Sequence, residues 1–159
     1  MDLKYTVLNR GDELSTQLME RVHELAANHP LVLNEHEPDL VLSIGGDGTL
    51  LNAIHQYMDR LDTIAFVGVH TGHLGFYADW KPSEIHELVD LMGTTNPMEQ
   101  LVSYPMAELE LTTTEGKHYY LALNEFTIKG ATATLVARLD INNETFEMFR
   151  GDGIVISTP

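Results

Sequence analysis

The residues best suited to chemistry are Gly45-Gly46-Asp47-Gly48-Thr49, which lie between an apolar run, Leu40 to Ile44, and a run with helical spacing, Thr49 to Met58. Three glycines at a strand-to-helix turn let the backbone approach a diphosphate closely, and the N–H groups of the helix end carry partial positive charge toward it. A carboxylate placed there would repel phosphate oxygens. Asp47 is therefore suited to a hydroxyl whose proton it accepts, or to a metal ion carried by the phosphates, and the pattern points to phosphoryl transfer.

Two common phosphate-binding patterns do not describe this turn. The P-loop pattern requires a Lys-Ser/Thr pair after the glycines, and the dinucleotide fingerprint requires a third glycine where Leu50 and Leu51 stand. A simpler interpretation is that Asp47-Gly48 forms a tight turn, because this dipeptide tolerates positive φ. From these residues alone both interpretations stay open.

Composition restricts the classes of partner. With 24 acidic and 9 basic residues among 159, the net charge is −15, and the closest two bases, Lys4 and Arg10, are six positions apart. Nucleic-acid backbones and anionic membranes would be repelled on average, so neither is expected as a partner. The chain has no cysteine, which suits a reducing compartment, and no basic segment followed by an apolar stretch at its N-terminus. The sequence therefore predicts a cytoplasmic protein.

The first half of the chain alternates short apolar runs with helix-like segments. Asp12 is expected to cap the first helix, and Pro82 and Gly93 are expected to open and to end a later one. Such alternation predicts an α/β domain with a parallel sheet over residues 1–97. The predicted strands are Tyr5–Asn9, Leu31–Leu33, Leu40–Ile44 and Thr63–Val69.

After Asn96-Pro97 the period of the apolar residues changes. Ala107, Leu109 and Leu111 alternate with polar residues, as in a half-buried strand, and hairpin turns are expected at Thr114–Lys117 and Asn142-Asn143. The sequence predicts an all-β domain over 98–159, which we expect to be incomplete because it is small for a separate core. The further strands predicted are Tyr119–Lys129, Leu135–Ile141, Phe146–Arg150 and Ile154–Ser157.

Four motifs in this order resemble the NAD kinase family, and the bacterial enzymes of low-GC Gram-positive type most closely. The glycine-acid turn alone also resembles diacylglycerol and sphingosine kinases and phosphofructokinases, so a lipid or sugar kinase is the alternative. The other three motifs make the resemblance much more specific. They are Thr71-Gly72-His73-Leu74-Gly75-Phe76, Asn124-Glu125, and Arg150-Gly151-Asp152-Gly153 before Ser157-Thr158-Pro159.

The resemblance implies transfer of the ATP γ-phosphate to the 2′-hydroxyl of the adenosine ribose of NAD, which gives NADP. A divalent cation, Mg²⁺ by expectation, accompanies the reaction, and inorganic polyphosphate is the donor for some members. By the same resemblance Asp47 is the general base, and Gly45, Gly46 and Gly48 bring the backbone beside the NAD diphosphate. This agrees with the local argument, since phosphoryl transfer needs chiefly alignment and charge neutralisation.

The resemblance implies ligand contacts for the remaining motif residues, and each of these residues also has a simpler interpretation. Asn124 and Glu125 would meet adenine and ribose, or would be solvated residues at a strand end. Arg150 would neutralise phosphate and Asp152 would accept from a carboxamide or ribose, or both would belong to a glycine-rich turn. Phe76 would face the adenine or would belong to the core.

The resemblance ends inside Ser157-Thr158-Pro159. In the family this motif continues into small residues and an Ala-Tyr pair that contact NAD, and a larger β domain supplies further ligands and the contacts of a dimer or tetramer. These parts are missing from the sequence, so a noncatalytic NAD-binding fragment is a further alternative. His70 and His73 are too few for a zinc site, and no metal ligand is predicted.

Overall fold

The structure is a computed structural model, and it describes residues 2–73, 75–94 and 101–158. The chain divides into two compact units, Met1–Val102 and Ser103–Pro159. The boundary predicted at Asn96-Pro97 lies outside the described residues and stays a prediction.

The first unit contains a parallel sheet of four strands in the order β2-β1-β3-β4. Strand β3 lies between two neighbours, and each of its residues is buried, as expected for the near-continuous apolar run of a strand covered on both faces. The strands are β1 (Leu3–Asn9), β2 (Leu31–Leu33), β3 (Leu40–Gly45) and β4 (Ala65–His70).

In the described part of this unit, three α-helices accompany the sheet: α1 (Glu13–Ala26), α2 (Asp47–Gln56) and α3 (Ile85–Thr94). The predicted cap of α1 is confirmed, because the Asp12 carboxylate accepts the Ser15 backbone N–H at 3.0 Å. Among the described residues, no helix is long and apolar enough to cross a membrane.

Alternate residues of β3 supply two apolar clusters. Leu42 packs in a cluster with buried residues of α1 and α3, whereas Val41 packs with residues of α2 and the loop before β4. Because successive strand side chains point to opposite faces, the sheet has a helical layer on each side. The α/β class with a parallel sheet, predicted for this half, is confirmed.

The predicted start of the third helical segment is confirmed, whereas its predicted end is wrong. Pro82 opens a short 3₁₀ turn, Pro82–Glu84, which precedes α3, and Gly93 lies inside the last turn of α3 rather than after it. A Cβ atom at Gly93 would collide with the imidazole ring of His29. This glycine is therefore explained by packing between segments and not by helix termination.

The second unit contains three antiparallel strand pairs, β5–β6, β7–β10 and β8–β9, which confirms the all-β class. The Asn142-Asn143 hairpin is also confirmed, and both residues have positive φ, 53° and 66°. The strand predicted over Tyr119–Lys129 is instead two strands, because the chain turns at Leu123-Asn124. The strands are β5 (Ala107–Thr113), β6 (Gly116–Ala122), β7 (Glu125–Lys129), β8 (Leu135–Ile141), β9 (Glu144–Gly151) and β10 (Gly153–Ser157).

Candidate active site

The glycine-acid turn joins the carboxyl end of β3 to the amino end of α2. Gly45 is the last residue of β3, Gly46 is the N-cap of α2, and Asp47 is its first residue. A Cβ atom at Gly45 would collide with the side chain of Thr49, one turn into the helix, and would lie 3.2 Å from the Arg10 Cβ. Packing within the turn therefore explains the glycine at position 45.

Gly46 and Gly48 have no such explanation. A Cβ atom at either position would meet no heavy atom within 4 Å, and neither residue has a positive φ. Among the described residues, no side chain caps the N-terminus of α2. Backbone amides beside unfilled space at a helix N-terminus favour the approach of an anionic ligand.

The half-buried Asp47 carboxylate is fixed by the segment that follows β4. Oδ2 accepts the backbone N–H of Phe76 at 2.7 Å, and Oδ1 accepts that of Tyr77 at 3.2 Å. The carboxylate thus has a defined orientation over residues 75–77, and each oxygen keeps further acceptor capacity. The strand pairing β3–β4 makes this contact possible, because the carboxyl ends of parallel strands lie at the same edge of the sheet.

The side chain of Phe76 is 88% exposed. Its backbone is held at Asp47, but its ring does not belong to the core. Of the two interpretations left by the sequence, the core interpretation is therefore wrong. An exposed aromatic ring is suited to stack on a planar ligand group.

His70, at the end of β4, is paired in register with Gly45. Its Nδ1 shares a hydrogen bond of 3.2 Å with the Gly72 carbonyl, and its buried Nε2 has no hydrogen-bond partner among the described residues. In residues 2–73, 75–94 and 101–158, no three His, Asp or Glu side chains form a group that could hold a metal ion.

In the second unit the structure brings two distant motifs together. Glu125 begins β7 and pairs with Ser157 of β10, and the backbone N–H of Thr158 donates to the Asn124 carbonyl at 3.0 Å. The Thr158 hydroxyl also donates to the Leu123 carbonyl at 2.8 Å. These bonds use main-chain oxygens of the β6–β7 turn, so they fix Asn124 and Glu125 without occupying their exposed side chains.

Arg150 and Asp152 lie at the other end of the same strand pair. Arg150 is near the end of β9, Asp152 connects β9 to β10, and both are exposed. The pair Gly153–Lys129 is four positions from the pair Ser157–Glu125, which corresponds to about 13 Å along a strand. Within this unit, Arg150 and Asp152 are therefore not neighbours of Glu125.

Among the residues with a direct part in this geometry, Tyr77 lies outside the motifs and was missed by the sequence analysis, and two motif residues carried no role there. Gly75 lies against the Asp47 carboxylate, and Thr158 binds the turn that carries Asn124. Both belong to motifs recognised in the sequence, and that membership was the one signal available for them.

Comparison with known proteins agrees with these motifs. Residues 15–94 match the family model described as ATP-NAD kinase N-terminal domain. The chain is 49% identical to NAD kinase 1 of Bacillus cereus and 48% identical to NAD kinase 1 of Bacillus subtilis, in each case over 99% of its own length. It spans 59% of the length of each of these relatives.

A solved structure, the crystal structure of yeast NADH kinase complexed with NADH, matches 98% of this chain and 57% of its own with a TM-score of 0.71. At 14% identity this match supports the fold alone. The similarity to the bacterial relatives extends over almost the whole chain, so a relation limited to the glycine-acid turn, as with lipid or sugar kinases, is not favoured. The match over residues 15–94 shows that this chain belongs to the NAD kinase family.

Proposed function

We propose that this chain carries the phosphoryl-acceptor site of an NAD kinase, which transfers the γ-phosphate of ATP to the 2′-hydroxyl of the adenosine ribose of NAD and produces NADP. The observation that carries the proposal is the Asp47 carboxylate, held in a fixed orientation at an uncapped helix N-terminus between two glycines that open onto free space. Since the chain spans 59% of the relatives' length, we propose this activity first for the complete gene product.

In the proposed reaction Asp47 accepts the proton of the ribose 2′-hydroxyl. The hydroxyl oxygen forms a bond to the γ-phosphorus, the bond from that phosphorus to the β–γ bridging oxygen breaks, and ADP leaves. The Phe76 and Tyr77 amides orient the carboxylate and leave lone pairs for the hydroxyl. The amino end of α2, with the backbone of Gly45, Gly46 and Gly48, provides partial positive charge for the NAD diphosphate.

The second unit supplies the remaining proposed contacts. Asn124 and Glu125 are proposed to bind adenine and ribose, because an amide offers both a donor and an acceptor and a carboxylate accepts from hydroxyls. Arg150 is proposed to neutralise phosphate, and Asp152 to accept from a carboxamide or ribose. The ring of Phe76 in the first unit is proposed to stack on the adenine.

The phosphate donor is proposed to be ATP, with inorganic polyphosphate as the alternative. The described residues offer no group of three carboxylate or imidazole side chains for a divalent cation. We propose that Mg²⁺ enters bound to the phosphate oxygens of ATP, its usual position in phosphoryl transfer.

We further propose that the protein is cytoplasmic and, when its C-terminal part is present, a homo-oligomer, either a dimer or a tetramer. The proposed oligomer is supported by large apolar side chains of the second unit that are exposed to solvent. Among them are Tyr119, Phe146 and Met148, each at least 60% exposed. Light scattering on the complete gene product tests this proposal, and a monomer at micromolar concentration would contradict it.

The activity is tested by incubating protein with NAD, ATP and Mg²⁺ and measuring NADP with an NADP-specific dehydrogenase. Asp47→Asn is expected to lower kcat by a factor on the order of 10²–10⁴, the usual contribution of a general base. Asp62→Asn is the matched control, since Asp62 is an exposed aspartate in the loop before β4.

The 159-residue chain and the complete gene product are assayed side by side. Turnover that is unaffected by Asp47→Asn would contradict the assignment of the base. A complete protein that binds NAD without forming NADP would contradict the kinase and support a noncatalytic binding module.

A further inference from the structure

Gly75 lies directly against the Asp47 carboxylate. The three heavy atoms nearest to a Cβ atom built at Gly75 are Oδ1, Cγ and Oδ2 of Asp47, and Oδ2 would be 2.6 Å away. The Asp47 side chain is the described group that a larger residue would displace.

The two residues after Gly75 donate the backbone hydrogen bonds that orient this carboxylate. The Phe76 N–H binds Oδ2 at 2.7 Å and the Tyr77 N–H binds Oδ1 at 3.2 Å, so each oxygen has its own donor. Charge-assisted hydrogen bonds of this kind restrict the rotation of a carboxylate. A side chain at position 75 would stand between the segment and the carboxylate and would separate both pairs.

We propose that Gly75 is a positioning residue of the acceptor site, whose lack of a side chain lets the Phe76 and Tyr77 amides hold Asp47 in the orientation that receives the acceptor hydroxyl. This inference rests on the proposed function for its catalytic consequence, but not for the contact itself. It also links Asp47 to Phe76, because one residue provides both the amide that binds the carboxylate and an exposed aromatic ring.

The contact is tested by hydrogen exchange of assigned backbone amides, which does not depend on activity. Asp47→Ala removes the acceptor, and exchange at Phe76 and Tyr77 is expected to accelerate. Gly75→Ala is expected to accelerate the same two amides, since it displaces the carboxylate. Asp79→Ala is the control from the same segment, because Asp79 is exposed and lies outside the motif, and exchange at both amides is expected to stay unchanged.

A double variant, Asp47→Ala with Gly75→Ala, separates positioning from general damage. Asp47→Ala removes the three heavy atoms nearest to the added Cβ atom, so the double variant is expected to have the melting temperature of Asp47→Ala alone. If Gly75→Ala does not fold, the double variant is still expected to fold. A Gly75→Ala protein that keeps the exchange protection of both amides, or a double variant that remains unfolded, would overturn the proposal.

The catalytic consequence is measured on the active enzyme with NAD and ATP. Gly75→Ala is expected to lower kcat about 100-fold, the typical effect of displacing a reacting group by 1 Å, while the KM for NAD changes much less. Asp79→Ala is expected to leave kcat unchanged. Lost exchange protection with an unchanged kcat would overturn the positioning role. A wild-type protein without kinase activity would instead contradict the proposed function, and the exchange result would stand by itself.

Discussion

Replacing Gly48 by alanine is expected to make the protein more stable and less active. Gly48 is the second residue of α2, it is exposed, and an added Cβ atom meets nothing within 4 Å. Its φ is not positive, so alanine can adopt the same backbone conformation. No contact within the described structure therefore accounts for glycine at this position.

The magnitude follows from the cost of glycine in a helix. Glycine destabilises a helix interior by about 0.5–1 kcal/mol relative to alanine, because it loses more backbone freedom on folding. Since 1 kcal/mol shifts the melting temperature of a unit of this size by about 4–8 °C, Gly48→Ala is expected to raise it by roughly 2–8 °C. Thermal unfolding followed by circular dichroism measures this change.

Gly48→Ala is expected to lower activity although it raises the melting temperature. A methyl group at position 48 would occupy the space in which the NAD diphosphate is proposed to approach the amides of α2. One extra carbon group that does not fit a binding site changes kcat/KM on the order of tenfold or more, so kcat/KM for NAD is expected to fall by at least that factor. The coupled NADP assay measures it on the complete gene product.

The control is Gly45→Ala in the same turn. Here the added Cβ atom collides with Thr49, so the unfolding free energy is expected to fall by about 1–3 kcal/mol, as for other overpacked sites. A lower melting temperature for Gly48→Ala would refute the conformational argument. A higher melting temperature with unchanged kcat/KM would refute the proposal that a ligand requires glycine at position 48.

Three further changes test the fold. The hydrogen bond from the Ser15 backbone N–H, and then Arg10, lower the pKa of Asp12. The contribution of Asp12 to the unfolding free energy is therefore present above about pH 3.9 and is lost as pH falls through the lowered pKa. Asp12→Asn should keep the cap but weaken this acid dependence, as measured by unfolding titrations at several pH values. Burial raises the pKa of Tyr5, so the contribution of its neutral hydroxyl to the unfolding free energy is present below about pH 10 and is lost as pH rises through the raised pKa. Tyr5→Phe should therefore flatten the alkaline decline of the unfolding free energy. Gly93→Ala should lower the melting temperature although alanine is the better helix former, because the His29 ring fills the space that the added methyl group needs. Adding His29→Ala should restore the melting temperature. An equal effect of Gly93→Ala with and without His29 would contradict the packing argument.

Features that depend on a few consecutive residues could be predicted from the sequence. The Asp12 cap, the Asn142-Asn143 hairpin and the position of Asp47 between strand and helix all follow from local backbone preferences. The alternation of apolar periods likewise predicted an α/β half followed by an all-β half. Errors occurred where a distant residue decided the outcome, as His29 does for Gly93.

The sequence by itself determined which residues form the motifs and in which elements they lie. Only the tertiary structure decided that Gly45 is required by Thr49 and Gly75 by Asp47, whereas Gly46 and Gly48 face open space. It also placed the Phe76 amide on a carboxylate 29 residues earlier in the chain, and Thr158 on a turn 34 residues earlier. The physical reason is that strand order and register bring such residues together, and neither can be deduced from the spacing of residues along the chain.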